Sequence, residues 1–134
     1  MIQTPTLSSV DAQKAIAAIQ AELAKRGKTG VIAVADSHGE LLALLRLDGA
    51  PLQSVTIAIN KAFSAARERK PTLEIGNSMR EKHQQIAYFG DPRFVGWGGG
   101  VPVLVEGACA GSVAVSGLSQ EEDEELARLG IAAM

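Results

Sequence analysis

The chain has 134 residues, 46% of them apolar and 21% charged, which is enough to build one domain with a real core. A formal net charge of -2 excludes a general polyanion binder, which needs a clear basic excess to neutralise phosphates. The single cysteine, Cys109, rules out an internal disulfide. Met1 to Asp11 has no signal-peptide pattern and no apolar run approaches the roughly 20 residues of a membrane span, so the expected setting is the cytoplasm, away from membranes and nucleic acids.

The first expected element is a helix. Ser8 and Asp11 have capping-box spacing, Ala12, Ile16, Ile19 and Leu23 recur on one face, and Lys25, Arg26 and Gly27 mark its end. Val31 to Ala35 and Leu41 to Leu47 are apolar runs around Asp36-Ser37-His38-Gly39-Glu40. They read as a β-hairpin with both strands largely buried. Asp48-Gly49-Ala50-Pro51 leads into a second helix, with Leu52, Val55, Ile59, Ala62, Phe63 and Ala66 on one face. Lys70-Pro71 ends it, and a more polar helix is expected from about Thr72 to about Gln85. Gly90-Asp91-Pro92 reads as a turn, with a short extra strand near Val95. Pro102 to Val105 and Ala110 to Val115 form a second hairpin around Glu106-Gly107. A last helix starts at Ser119, with Glu121 to Glu125 complementing its dipole. The order α-β-β-α-α-β-β-α favours an antiparallel sheet with helices packed on it, in one domain.

The aromatics carry the clearest functional signal. Of five, Tyr88, Phe89, Phe94 and Trp97 fall within ten residues, just before Gly98-Gly99-Gly100. An apolar face with a polar handle suits a pocket wall or a subunit interface. Three glycines in a row let a backbone approach a ligand or expose amides to an anion; a β-bulge is the plainer explanation. Between Lys61 and Arg93 stand seven Lys/Arg against four Asp/Glu, and Lys61 and Arg93 are the cations placed to pair with a carboxylate ligand. His83, with Met79 one turn earlier, is the candidate axial ligand for a haem iron, against an exposed helix residue. His38 reads as a solvated turn histidine and Cys109 as a small apolar residue. No zinc spacing and no nucleophile motif is present.

Taken together, these residues resemble the GlcG/HbpS family, which also forms the C-terminal part of PduO-type proteins. The resemblance spans nearly the whole chain. It is carried by Val31-Ile32-Ala33-Val34-Ala35-Asp36, Leu41-Leu42-Ala43-Leu44, Arg46-Leu47-Asp48-Gly49-Ala50 and Ala58 to Ala65, then by Gly98-Gly99-Gly100-Val101-Pro102-Val103, Gly111 to Gly117 and Glu121-Glu122-Asp123-Glu124. It departs at Asn60, where an acid is usual, and over Met79 to Trp97. The resemblance implies an α+β fold of the broad α/β class: a five-stranded antiparallel sheet flanked by helices, profilin-like. It also implies a homo-oligomer, a tetramer or octamer, and haem as a possible ligand.

The leading reading is therefore a small-molecule binding module. Lys61, Ser64, Tyr88, Phe89, Arg93, Phe94, Trp97, Gly98, Gly99 and Gly100 would line the site, and His83 would ligate iron if haem enters. The alternative is a small catabolic enzyme acting on a hydroxy- or oxo-carboxylic acid. There Lys61 or Arg93 would hold the carboxylate, the Gly98 to Gly100 amides would stabilise an oxyanion, and His83 or Tyr88 would move a proton. A third reading gives the aromatics to an oligomer interface alone.

Overall fold

A computed structural model describes residues 1–134. Its elements are α1 (Ser9–Arg26), β1 (Val31–Asp36), β2 (Leu41–Arg46), α2 (Ser54–Glu68), α3 (Thr72–Glu81), a short 3-10 turn (Ile86–Phe89), β3 (Gly100–Val105), β4 (Ala108–Ser116) and α4 (Gln120–Ala132). The expected α-β-β-α-α-β-β-α order therefore holds. The α1 caps are those expected: the Asp11 amide donates to Ser8 Oγ (3.2 Å), the Ser8 amide donates to the Asp11 carboxylate (2.8 Å), and Gly27 closes the helix at φ 66°.

The sheet is antiparallel and has four strands in the order β2-β1-β4-β3, not five. The segment around Val95 adds no strand. Gly90, Pro92, Gly96 and Gly98 interrupt it, and the Val95 amide donates to Ser64 Oγ (3.0 Å) instead of to a neighbouring strand. β1 is buried along nearly its whole length. β2 is an edge strand with exposed and half-buried residues, so only one strand of the first hairpin is largely buried. The third helix is also shorter than expected. It ends at Glu81, and His83 follows in a turn at φ 53°, outside the helix.

Both faces of the sheet are covered. Ile32 and Val34 of β1 join Val113 and Val115 of β4 and the α1 and α4 residues Ile19, Leu23 and Leu126 in the larger core. Fully burying each such aliphatic side chain contributes about 1.5–3 kcal/mol. The other face is built from small residues. Val31, Ala33 and Ala35 of β1 and Ala114 of β4 meet Ala58 and Ala62 of α2. Alternating branched residues with alanine along β1 thus leaves room for the α2 backbone to lie close against the strands.

The ends of α1 and α4 are joined by charge. Arg26 pairs with Glu22 (3.1 Å), Glu122 (3.0 Å) and Glu125, and Lys28 pairs with Glu122 (2.7 Å). Lys28 and Arg26 hold the Glu122 carboxyl below its ordinary value of 4.5. A depressed carboxyl adds stability above its unfolded value and loses it as the pH falls through the folded value. Acid titration should therefore loosen the α1–α4 contact at pH below about 4.5, and Glu122→Gln should flatten that part of the stability–pH curve. Stability–pH curves that coincide for the two proteins would contradict this.

Candidate functional site

Two clefts open beside the sheet. The first, about 440 Å³, lies between the start of α2, the end of β4 and the start of α4. Its floor holds Lys61 and Asp123, each 2% exposed. Lys61 Nζ donates to the Asp123 carboxylate (2.9 Å) and to the Val115 carbonyl (2.9 Å), and the Leu118 amide donates to the other Asp123 oxygen (3.2 Å). Burial pushes the Lys61 ammonium below its usual range and the Asp123 carboxyl above its own, and their mutual attraction opposes both shifts.

Lys61 reaches this place because α2 runs over the alanine face of the sheet, and Asp123 because α4 turns one side to the core. Asp123, Leu126, Ala127 and Gly130 are the buried residues of α4. Ser119 Oγ takes the Glu122 amide (3.2 Å), as the capping pattern predicts, while the Glu122 carboxylate turns away to Arg26 and Lys28. The acidic run thus divides its work: Glu122 pairs outside and Asp123 pairs inside.

The three glycines back this ion pair. A Cβ on Gly99 would come within 2.5 Å of the Val115 carbonyl and 2.7 Å of Lys61 Nζ, and one on Gly100 within 2.5 Å of the Lys61 carbonyl. The Gly98 amide donates to the Gln120 side chain (3.1 Å) and the Gly100 amide to Thr72 Oγ1 (2.9 Å). Close packing against α2, α3 and α4 accounts for all three positions. Gly98 also lines the first cleft, and Trp97, 57% exposed, stands at its lip.

The remaining residues singled out from sequence lie elsewhere. Ser64 is buried and occupied by the Val95 amide. Phe94 packs edge-on to the buried Phe63 and against Phe89, each pair at 5.1 Å between ring centroids. Arg93 lies 3.9 Å above the Phe63 ring and is hydrogen-bonded to Asp91 and Glu40. These four form a packed cluster beside α2. Tyr88 and His83 are exposed. The sequence-derived set is thus brought together only in part: Lys61, Trp97 and Gly98 share the first cleft.

The second cleft, about 510 Å³, brings His38, Cys109 and Arg69 together with Ser37, Glu106 and Ala108. The loop that carries His38 is pinned by its backbone. Its amide donates to Asp36 Oδ1 (2.9 Å), and its carbonyl accepts from the Arg67 guanidinium. The imidazole itself makes no hydrogen bond within the chain and is free to bind.

A haem iron is held by an imidazole, thiolate, thioether or phenolate donor. The first cleft offers none among its lining residues. The second offers the His38 imidazole, with Arg69 as a cation for a propionate, while the Cys109 thiol beside them is held by the Ala66 (3.5 Å) and Gly111 (3.4 Å) carbonyls. That donor set fits a haem; the first cleft does not. Sequence reasoning missed Asp123, hidden in its acidic run, and the meeting of His38 with Cys109, which the chain brings together from distant hairpins.

Comparison with known proteins places the chain among described relatives. A family model for the haem degrading protein HbpS-like family matches residues 7–132. Protein GlcG of Escherichia coli K12 is 38% identical over 110 residues, which cover 82% of this chain and 81% of that protein. A double mutant of Streptomyces reticuli HbpS superposes with a TM-score of 0.90 at 32% identity, covering 100% of this chain and 90% of that one. A crystal structure of a PduOC:haem complex superposes at 0.87 with 25% identity, covering 96% of this chain and 95% of that one.

Proposed function

The chain belongs to the HbpS-like family of haem-degrading proteins, and from that premise we propose that it is a small-molecule binding module of the cytoplasm whose ligand is haem or a related tetrapyrrole. The observation that carries this reading is the second cleft, where the unpartnered His38 imidazole and Arg69 line one space of about 510 Å³. A relative solved with haem bound lends it support. His38 is the iron ligand in this reading and Arg69 the partner of a propionate. Haem held there would supply a redox-active iron. The chain's own part is to hold one face of the ligand and fix its orientation through the pinned His38 loop.

The module is a homo-oligomer in this reading. Leu41 and Leu44 on the β2 edge and Leu104 and Val105 at the β3 edge are exposed apolar residues on unpaired strands. Such edges suit pairing with a second copy, and native mass spectrometry gives the subunit number. No helix is long and apolar enough to cross a membrane.

Titration with haemin tests the haem reading. A saturable Soret shift at about one haem per subunit is expected, lost in His38→Ala and kept in His83→Ala. The reverse pattern would move the site to the Met79–His83 face. A flat titration of the unsubstituted protein would sink the haem reading.

A further inference from the structure

The first cleft remains, and it has the features of a site in its own right. Five buried residues carry hydroxyls whose surroundings can be compared. Ser64 accepts the Val95 amide, Thr72 accepts the Gly100 amide, and Ser112 donates to the Ala62 carbonyl. Ser54 and Ser116, each 4% exposed, have no such partner. No fully enclosed side-chain oxygen or nitrogen in the protein lacks a hydrogen bond, so these two hydroxyls keep an opening, and both residues line the cleft. An unpartnered hydroxyl held at the mouth of a buried position costs nothing only while water or a ligand satisfies it.

The charges around the cleft select the ligand. The 13-residue helix α4 starts on it, and the Gln120 and Glu121 amides of its first turn have no acceptor within the chain. Helix α2 also starts beside it, but its Ser54 and Val55 amides already donate to the Pro51 and Leu52 carbonyls. The unpartnered donors at this space are therefore those of the positive α4 end. Lys61 spends two of its three ammonium donors on Val115 and Asp123. The nearby acids are occupied or turned away: Asp123 by Lys61 and the Leu118 amide, Glu122 by Arg26 and Lys28, with Glu121 exposed at the surface. Ile57, Trp97 and Leu118 line the cleft beside these polar groups and can pack against the ligand's carbon atoms.

We propose that this cleft binds a small hydroxy- or oxo-carboxylic acid. Its carboxylate lies at the α4 start, and its hydroxyl or oxo oxygen is read by Ser54 and Ser116. The site is separate from the His38 cleft and does not depend on haem binding there.

The one tryptophan of the chain, Trp97, stands at the lip and reports occupancy by its fluorescence. Titration of the full chain with lactate and with pyruvate should give a saturable change, and uncharged glycerol should give none. Ser54→Ala/Ser116→Ala should weaken binding by about tenfold or more, the effect of losing two hydrogen bonds to the ligand. Its thermal midpoint should match the parent's, because neither hydroxyl holds a protein partner, and its haemin titration should be unchanged. Glycerol binding as tightly as lactate would overturn the proposal. So would equal affinity in the double variant, a lowered midpoint showing that the hydroxyls serve the fold, or the absence of saturation with either acid.

Discussion

Asp123→Ala is expected to destabilise the protein by about 3–5 kcal/mol, the range for removing one partner of a buried ion pair. Its side chain and that of Lys61 are almost wholly enclosed, and Lys61 Nζ has only the Val115 carbonyl as another acceptor. Without Asp123 the ammonium must shed its proton inside the protein or draw water into the core. In a chain of this size such a loss corresponds to a fall of roughly 10–20 °C in Tm. Lys61→Met/Asp123→Leu removes both charges at once and should recover most of the stability, since well-packed apolar replacements of buried pairs are often neutral or better. Urea denaturation of the three proteins measures this. A single variant within about 1 kcal/mol of the parent would mean that the pair is solvated and not buried.

The second large effect is expected at Gly99. It stands at φ 132°, a region that alanine rarely adopts, and a Cβ there would meet the Val115 carbonyl at 2.5 Å, Lys61 Nζ at 2.7 Å and Asp123 Cβ at 2.8 Å. Backbone strain of about 1–3 kcal/mol and overpacking of about the same size add in one direction. Gly99→Ala should therefore cost about as much as losing Asp123. Gly107 is the internal comparison: its φ is 82°, yet nothing lies within 4 Å of an added Cβ. Gly107→Ala should show the backbone part alone, about 1 kcal/mol. Chemical denaturation of both variants separates the two contributions, and equal losses would refute the steric one.

How much of this was legible in the sequence depended on whether the signal was local. The α1 boundaries follow from Ser8, Asp11 and Gly27, and the strand pairs from their turns, because caps and tight turns are decided by neighbouring residues. His83 left its expected helix because the polar stretch after Glu81 has no apolar face to hold it against the sheet. The missing fifth strand follows from glycine and proline around Val95, which disfavour a ladder even though Val95 itself suits one. Asp123 had a readable signal. It stands three and four residues before Leu126 and Ala127 and so shares their buried face, but four other acids in the same run masked it. The partnership of Lys61 with Asp123 had none, since charge complementarity in sequence does not say which distant residues meet. The same holds for His38 and Cys109, and for the two serines, whose importance lies in what they fail to touch.

The order of the sheet also bears on how the chain folds. Each hairpin, β1 with β2 and β3 with β4, closes between neighbours in sequence, a microsecond event. The central ladder pairs Val31 with Ser116 and Asp36 with Gly111, strands from opposite ends of the chain. Its formation must absorb the entropy of closing a long loop before any of its contacts contribute, which makes it the slow step. Until it forms, the β1 and β4 edges are unpaired and open to other chains, so the yield of refolding should fall as protein concentration rises. The strands that end up deepest in the molecule are those most exposed on the way to it.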